Sequence, residues 1–309
     1  MMHLMWNASP DGIIAAASRI DPVFLDMPLR RSAALDAQLG VELLLKDETA
    51  NPIRSFKGRG ATNFAAGLSG APALVCASAG NFGQGLAWAA RGRGLALTVF
   101  ASRGAVPAKI EAMRRLGADV RLSGEDYDSA KAKAAAYAAA EGLLYVEDGA
   151  HAAIADGAGT LAREMVGQAG AFDTLIVPLG NGALAAGTGC WAKYALPGVE
   201  TVAVAAQGAP AMAESVRTGR AIETATADTI ADGIAVRVPI PSAIPAVRAV
   251  IDDVVLVGDA DIRVAMALIQ ETRGLVVEPA GAAGLAALIA DPARWRGKRI
   301  AVPLCGGNV

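Results

Sequence analysis

The feature that most constrains the fold is a regular alternation of short apolar runs with helical patterns along most of the chain. A first series of predicted strands, most of them apolar, lies at 73–77, 96–100, 119–122 and 143–146. A second series lies at 174–178, 201–206, 254–257 and 299–304. Strands that alternate with helices form right-handed strand–helix–strand units with parallel strands. The pattern therefore predicts an α/β protein of two domains with mainly parallel sheets.

Composition narrows the class of function. The chain has 309 residues, of which 53% are hydrophobic, so it can bury a large core. Its net charge is −2 and its 28 basic residues are scattered, which argues against a nucleic-acid or membrane partner and favours a small-molecule substrate. Cys76, Cys190 and Cys305 are far apart, as is typical of reduced thiols in a cytoplasmic protein. No apolar run is long enough to span a membrane, so we expect an unexported protein.

One lysine stands among small and flexible residues in the segment SFKGRG at 55–60, just before a helical pattern begins. An amine in such a place can bind an electrophile as a Schiff base. Positive charge from Arg54 and Arg59 would favour the neutral, nucleophilic form of Lys57. Taken alone, the segment fits a solvated loop lysine better, because most lysines lie on protein surfaces. The rest of the chain decides between the two interpretations.

Three glycine-rich junctions follow predicted strands, which is where parallel sheets bind their ligands. In VPLGNGAL at 177–184, backbone N–H groups at the start of a helix suit a phosphate, but the segment matches neither common nucleotide motif. In ASAGNFGQG at 77–85, the Ser78 hydroxyl and the Asn81 amide suit a carboxylate. The third junction is VPLCGGN at 302–308. Each junction alone also fits a structural turn, a helix cap or a buried thiol.

Together these segments resemble the pyridoxal-phosphate (PLP) enzymes of the tryptophan-synthase-β fold group, and within it the serine/threonine dehydratase (ammonia-lyase) and serine racemase family. The resemblance extends from about residue 27 to the end of the chain. Six segments carry it, namely SFKGRGA at 55–61, SAGN at 78–81, GNGAL at 180–184, IADGIAV at 230–236, VEPAGA at 277–282 and CGGN at 305–308. Each segment is short, but six in this order make the resemblance specific. The resemblance therefore favours a Schiff-base lysine over a solvated loop lysine at Lys57.

The resemblance implies a role for each matching residue. Lys57 would form the Schiff base with PLP and remove the substrate α-proton, while Phe56 packs beside the ring and Asn81 bonds the ring hydroxyl. The cofactor-binding set is Phe56, Lys57, Asn81, Gly180, Asn181, Gly182, Ala183, Leu184, Glu278 and Cys305. The substrate-binding set is Ser78, Ala79, Gly80, Asn81 and His151. Cys305 replaces the serine that usually faces the pyridine nitrogen, and its weakly donating thiol favours prompt loss of a β-leaving group.

These roles imply α,β-elimination from a β-hydroxy-α-amino acid such as threonine or serine, giving a 2-oxo acid and ammonia. Racemases of the family carry a second serine where this chain has Ala79, so we expect racemisation to be minor. The segment 207–212, where the family binds a cation, has no acidic residue, so we expect no metal. Phe82-Gly83 and Gly180-Asn181 also resemble threonine synthases of the same fold. A β-replacement enzyme and an amino-acid racemase therefore stay open as alternatives.

The resemblance also implies an arrangement of domains. We expect a large PLP-binding domain from residues 1–64 plus 148–309, with a small domain of residues 65–147 inserted into it. The cleft between them would close on the substrate, and the protein would be a homodimer. Other classes fit less well. A nicotinamide-binding oxidoreductase needs a dinucleotide fingerprint with an acidic residue after it, and a non-catalytic relative would be expected to lack Lys57.

Overall fold

The computed structural model describes residues 7–309, so the first six residues of the predicted large domain lie outside the described residues. The strands are β1 (Leu29–Arg30), β2 (Glu42–Asp47), β3 (Leu74–Ala77), β4 (Leu97–Ala101), β5 (Asp119–Leu122), β6 (Leu144–Tyr145), β7 (Thr174–Pro178), β8 (Glu200–Ala206), β9 (Asp253–Val257) and β10 (Arg299–Leu304). The helices are α1 (Pro10–Ala16), α2 (Ala33–Leu39), α3 (Lys57–Ala66), α4 (Asn81–Gly92), α5 (Pro107–Arg115), α6 (Tyr127–Glu141), α7 (Ala152–Ala169), α8 (Ala183–Ala195), α9 (Ala211–Thr218), α10 (Ala243–Arg248), α11 (Asp259–Arg273), α12 (Pro279–Ala290) and α13 (Pro292–Trp295). Single 3₁₀ turns lie at Pro22–Phe24, Glu48–Ala50 and Asp232–Ile234.

The larger sheet contains six strands in the order β1-β2-β10-β7-β8-β9. Neighbouring strands are parallel, except that β1 pairs antiparallel with β2. The last strand, β10, lies between β2 and β7, since Ile300 is in register with both Leu43 and Thr174. Strands from near both ends of the described chain therefore form one sheet.

The strands of the larger sheet are apolar on both faces because helices cover both faces. On one face, Val177 of β7 packs in a cluster with Leu161 of α7. On the other face, the adjacent Ile176 packs in a cluster with Ile269 of α11 and Leu285 of α12. The alternation along β7 thus divides the core of this sheet into two layers.

The smaller sheet contains four parallel strands in the order β5-β4-β3-β6. Leu86 of α4 packs on one face of it, and Ala134 and Ala138 of α6 pack on the other. The predicted α/β class with mainly parallel sheets is confirmed. The four strands span residues 74–145, and the domain boundaries at 65 and 147 stay a prediction.

Helix α3 lies between the two sheets and carries Lys57 at its first position. It packs against α4 of the smaller sheet and α7 of the larger sheet. Ser55, just before the helix, forms an antiparallel bridge with Gly306, which follows β10. These contacts hold the beginning of α3 at the carboxyl edge of the larger sheet. Among residues 7–309, no helix is both long and apolar enough to cross a bilayer.

Candidate active site

A cavity of about 700 Å³ opens between the two sheets at the carboxyl ends of their strands. This volume is in the range of pockets that hold small molecules and cofactors. The cavity is lined by every predicted cofactor-binding and substrate-binding residue except His151. These residues are Phe56, Lys57, Ser78, Ala79, Gly80, Asn81, Gly180, Asn181, Gly182, Ala183, Leu184, Glu278 and Cys305.

The segment before α3 presents Lys57 to the cavity in a fixed position. Asn51 organises this segment, because its Oδ1 accepts hydrogen bonds from the N–H groups of Ile53 and Ser55. Arg54 has a positive φ of 51°, which is uncommon for a residue other than glycine. The Lys57 Nζ atom lies 4.6 Å from the centroid of the Phe56 ring. A lysine held in this way can react with a ligand in the cavity without a rearrangement of the backbone.

The expectation that Arg54 and Arg59 supply positive charge to Lys57 is wrong. The guanidinium of Arg59 is fully buried and points to two carboxylates, those of Glu48 and Glu164, at 2.6–2.9 Å. That of Arg54 donates to backbone carbonyls, including that of Gly307 at 3.1 Å. Side chains that are close in sequence at the start of a helix point in different directions. The guanidinium groups of Arg54 and Arg59 therefore do not lie beside the Lys57 amine.

The ionic partner of Lys57 is instead an acid from a distant part of the chain. Its Nζ atom donates to Oδ2 of Asp148, in the turn that follows β6. Asp148 belongs to none of the predicted site sets. Asp148 lies three residues beyond the end of β6, and an acid near the carboxyl end of a strand in a parallel sheet is a signal that could have identified it.

The junction before α8 has the geometry of a phosphate site. Gly182 precedes the helix with φ of 98°, a left-handed conformation that favours glycine. Among the residues that the structure describes, none accepts a hydrogen bond from the N–H groups of residues 180–184. These donors line the cavity at the positive end of a 13-residue helix. Such an arrangement binds anions through backbone donors and the helix dipole.

The junction before α4 combines a helix cap with donors that stay free. The Ser78 hydroxyl accepts hydrogen bonds from the N–H groups of Gly80 at 3.2 Å and Gly83 at 2.9 Å. This is the capping role that sequence alone left open. Within residues 7–309, no acceptor is bonded to the N–H groups of Ala79 and Asn81. A substrate carboxylate would therefore bind through the backbone of this loop more than through the Ser78 hydroxyl.

Asn81 connects this loop to two other segments. Its Nδ2 donates to Oε1 of Glu278 at 2.7 Å, and its Oδ1 accepts from Nδ2 of Asn308 at 2.8 Å. Glu278 precedes α12 and is 2% exposed. Burial and the charge of Asp232 raise the pKa of Glu278 to about 7. The positive charge of Lys109 and the hydrogen bond from Asn81 lower this pKa, but their effects are smaller. Glu278 is thus poised between its neutral and charged forms near neutral pH.

Cys305 lies at the end of β10 and carries a neutral thiol. Burial raises the pKa of Cys305 far above its ordinary value, with the charge of Glu278 adding to the effect. The Sγ atom lies 3.7 Å from the carbonyl oxygen of Ala280, a weak hydrogen bond. A neutral thiol at this position can donate only weakly to a ligand in the cavity.

His151 does not reach the predicted substrate site. It is the residue before α7, and its ring packs against that of Phe64 with centroids 4.9 Å apart. Burial lowers the pKa of His151, which favours the neutral imidazole. Its side chain turns toward α3 because the aromatic contact satisfies its apolar surface. The substrate contact predicted for His151 therefore has no support in the geometry.

Two ion pairs lie at the mouth of the cavity and were not predicted. Lys109 of α5 pairs with Asp232 at 2.5 Å, and Arg237 pairs with Asp128 of α6 at 2.5 Å. In each pair, one residue comes from the smaller-sheet region and the other from the segment that precedes α10. These contacts depend on the tertiary fold, and no local sequence pattern marks them.

These features fit PLP. The free N–H groups before α8 suit its phosphate, Lys57 suits its aldehyde, and the Phe56 side chain lies beside the amine. Among residues 7–309, no group of three or more His, Cys, Asp or Glu side chains is arranged to hold a metal ion.

Comparison with known proteins agrees with this chemistry. Residues 20–306 match the family described as "Pyridoxal-phosphate dependent enzyme". The biosynthetic L-threonine dehydratase IlvA of Pasteurella multocida is 32% identical over 295 residues, which cover 93% of this chain and 58% of the dehydratase. The L-threonine ammonia-lyase of Geobacter sulfurreducens is 34% identical over 276 residues, which cover 88% of this chain and 68% of that enzyme. The chain thus spans little more than half the length of the first of these relatives.

Solved structures show the same fold over almost the whole chain. Maize serine racemase superposes with a TM-score of 0.92 at 30% sequence identity, covering 98% of this chain and 94% of the racemase chain. Threonine deaminase isoform 2 of Solanum lycopersicum superposes with a TM-score of 0.89 at 28% sequence identity, covering 98% of this chain and 91% of the deaminase chain. The architecture alone therefore does not distinguish a deaminase from a racemase.

Proposed function

Because this chain belongs to the family of pyridoxal-phosphate dependent enzymes and has the tryptophan-synthase-β fold, we propose that it eliminates water from a β-hydroxy-α-amino acid. Threonine and serine are the candidate substrates, and a 2-oxo acid and ammonia are the products. The observation that carries the proposal is Lys57, which enters the cavity opposite a loop of free backbone donors. The relatives named as threonine dehydratase and ammonia-lyase support it.

The proposal gives each part of the cavity a task. The N–H groups of residues 180–184 would hold the PLP phosphate, and those of Ala79 and Asn81 would hold the substrate carboxylate. Lys57 would attach PLP covalently, and the neutral Cys305 thiol would face its pyridine nitrogen. When bound, PLP acts as an electron sink for the pair left at the substrate α-carbon.

Lys57 would then work as an acid and a base on one face of the substrate. Its Nζ atom takes the proton from the α-carbon, and the electron pair of that bond forms the second bond between the α- and β-carbons. The bond from the β-carbon to oxygen breaks, and the hydroxyl leaves as water with the proton that Nζ returns. The resulting enamine tautomerises and is hydrolysed to a 2-oxo acid and ammonia.

The lining of the cavity favours elimination over racemisation. Racemisation needs a proton donor on the face of the α-carbon opposite Lys57. Ala79 occupies the loop position where racemases of the family carry a serine, and its methyl group has no proton to give. Elimination needs Lys57 alone, so we expect racemisation of the substrate to be slower than formation of 2-oxo acid.

A panel of β-hydroxy-α-amino acids tests the proposal. The purified enzyme, loaded with PLP, should release equal amounts of 2-oxo acid and ammonia from threonine or serine. Lys57→Ala should lose both this turnover and the cofactor that borohydride fixes to the wild-type chain. An amino-acid product in place of a 2-oxo acid would instead indicate β-replacement. Chiral analysis of the residual substrate would overturn the proposal if racemisation outran 2-oxo acid formation.

Finer statements on the range of substrates, the assembly, the location and the domains complete the proposal. Serine dehydration alongside threonine dehydration, a homodimer and a cytoplasmic location follow from resemblance to the family and from the pattern of cysteines. The division into domains at residues 65 and 147, with closure of the cleft on the substrate, belongs to the same proposal. The two sheets on either side of the cavity support it.

A further inference from the structure

A chain of hydrogen bonds between side-chain amides leads from the segment before α3 to the cavity. The Nδ2 atom of Asn308 donates to the carbonyl oxygen of Ile53 at 2.8 Å and to Oδ1 of Asn81 at 2.8 Å. The Nδ2 atom of Asn81 donates in turn to Oε1 of Glu278 at 2.7 Å. Asn81 lines the cavity, whereas Asn308 does not. Asn308 thus contacts a cavity residue from outside the cavity.

The carbonyl group of Ile53 sets the direction of this chain. A backbone carbonyl can only accept a hydrogen bond, so Asn308 must turn its NH2 group toward Ile53. The other hydrogen of the same NH2 group points to Asn81, which accepts it with Oδ1. The opposite orientation of Asn308 would place two oxygens against each other at Ile53, which is unfavourable. One main-chain carbonyl therefore decides that the NH2 group of Asn81, and not its oxygen, is directed to Glu278 and the cavity.

Contacts of the preceding residue hold Asn308 in place. The N–H group of Gly307 donates to the carbonyl oxygen of Arg54 at 2.9 Å, and Nε of Arg54 donates back to the carbonyl oxygen of Gly307 at 3.1 Å. A Cβ atom at Gly307 would lie 2.8 Å from the carbonyl oxygen of Val276, so the backbone is tightly enclosed here. Because Ile53 directly precedes Arg54, the same contacts keep the acceptor of Ile53 close to the donor of Asn308.

We propose that Asn308 is a positioning residue that fixes the side chain of Asn81 with its NH2 group toward the cofactor. The inference rests on the proposed placement of PLP in the cavity, with Asn81 beside the ring hydroxyl. One hydrogen of the Asn81 NH2 group is bound to Glu278, and among the described residues no acceptor takes the other. That hydrogen is left for the ring oxygen. A donor at this place stabilises the ionised ring oxygen, whereas an acceptor would favour its protonated form.

Two substitutions of Asn308 separate the orientation of Asn81 from the filling of space. Asn308→Asp keeps the shape of the side chain but offers only acceptors, so the Asn81 amide should turn over and present Oδ1 to the ring oxygen. Glu278, whose pKa burial raises to about 7, can donate to that Oδ1 in its protonated form. Asn308→Ala removes the bridge and lets the amide adopt both orientations. Asn308→Asp should therefore disturb the ring oxygen more than Asn308→Ala, and a residue that merely filled space would give the opposite order.

The absorbance of the PLP-loaded protein measures the state of the ring oxygen without turnover. Bound PLP absorbs at longer wavelength with an ionised ring oxygen than with a protonated one, so the two bands give the ratio of these forms. At one neutral pH, this ratio should fall about 2- to 10-fold in Asn308→Asp, which is the range for one hydrogen bond, and less in Asn308→Ala. An unchanged ratio in Asn308→Asp, or a larger change in Asn308→Ala, would overturn the inference.

A double-variant cycle shows whether Asn308 acts through Asn81. PLP is titrated into the cofactor-free protein, and its dissociation constant is measured for the wild type, Asn308→Ala, Asn81→Ala and the double variant. Asn308→Ala should weaken PLP binding about 2- to 10-fold in the wild type and have no further effect in the Asn81→Ala background. The same loss in both backgrounds would contradict the inference, because Asn308 would then act independently of Asn81.

Controls keep both measurements interpretable. Asn7→Ala makes the same change at an exposed position that does not line the cavity, and it should match the wild type in both. Urea unfolding shows whether each variant is folded, and if Asn308→Ala is not, the band ratio of Asn308→Asp against the wild type decides alone. Neither measurement depends on the release of 2-oxo acid. A protein that binds PLP but converts no β-hydroxy-α-amino acid would therefore refute the proposed elimination and leave the test of Asn308 in force.

Discussion

At the scale of single residues, Glu278 has the most informative surroundings. It is a carboxyl group in an almost fully buried place, with Asn81 as the donor to one oxygen and no partner for Oε2 among the described residues. Burial and the charge of Asp232 raise the pKa of Glu278 to about 7, above the range of an unfolded chain. The folded protein therefore holds a proton that the unfolded protein releases at a lower pH.

This difference predicts how stability depends on pH. A carboxyl group with a raised pKa in the folded state stabilises the fold fully below about pH 4.5, and this contribution is lost as the pH rises through 7. Between pH 5 and 8 the cofactor-free wild type should lose about 2–3 kcal/mol more stability than Glu278→Gln, whose side chain does not titrate. Urea unfolding at the two pH values measures the difference. Exposed Glu271 supplies the control, Glu271→Gln, and equal losses in wild type and Glu278→Gln would contradict the prediction.

The sequence analysis identified cavity residues that lie within short motifs. It missed those that reach the cavity from segments without a motif. Lys57, Asn81 and the loop before α8 stand in segments whose local backbone already implies a task, and all of them line the cavity. Asp148 reaches Lys57 from 91 residues away, a contact that only the packing of two sheets creates. His151 shows the converse error, since its sequence position resembled a site and its ring found an aromatic neighbour instead.

At the scale of elements, a buried ionic cluster joins four segments around Lys57. Arg59 of α3 binds Glu48 after β2 and Glu164 of α7, and Glu164 also pairs with Lys46 of β2 at 2.6 Å. Burial raises the pKa of Glu48, although the charge of Arg59 opposes this shift. The cluster fixes α3 between the larger sheet and α7, two residues after Lys57.

Replacement of Arg59 should therefore destabilise the fold. Arg59→Met would leave Glu48 and Glu164 buried with Lys46 as their remaining cation, and we expect a loss of about 3–5 kcal/mol in the free energy of unfolding. Chemical denaturation measures this loss, and Glu48→Gln in the same chain should restore part of it. As a matched control, Arg103→Met breaks the exposed pair with Glu125 and should have little effect. A similar small effect for Arg59→Met would show that the cluster does not stabilise α3.

Elements with a plain apolar pattern were predicted closely, and others were missed. The predicted strand at 299–304 coincides with β10. Helix α7 (Ala152–Ala169) has no such pattern in its first turns, which are rich in alanine and glycine and lack an apolar period. Packing on α3 and α8 stabilises those turns. The short helices α1, α2 and α9 were not predicted for a related reason, since seven or eight residues give too few repeats of a pattern.

At the scale of the whole molecule, the two sheets meet across the cavity through the ion pairs Lys109–Asp232 and Arg237–Asp128. Each pair connects a helix of the smaller sheet with the segment before α10. Both pairs are partly exposed, with 59% of the Asp232 side chain accessible. Such pairs contribute little to overall stability, but they connect the two sides of the cavity.

Salt should therefore act on substrate binding more than on folding. Between about 50 and 500 mM NaCl, kcat/KM of the wild type should fall roughly 2- to 10-fold through KM, since salt screens exposed pairs. The double variant Lys109→Met with Arg237→Met should show a weaker dependence and a higher KM at low salt. Initial rates across the salt series measure both effects. The same salt dependence in variant and wild type would mean that these pairs do not affect substrate binding.

The position of β10 in the larger sheet also has a consequence for how the chain folds. The pair between Arg299 and Glu42 joins residues 257 positions apart, so β2 has no partner on this side until β10 has been synthesised. The smaller sheet is built from nearby segments and can form while the ribosome is still at work. During most of synthesis, β2 is therefore an open strand edge. This edge is where we expect chaperones to bind and where slow translation favours aggregation.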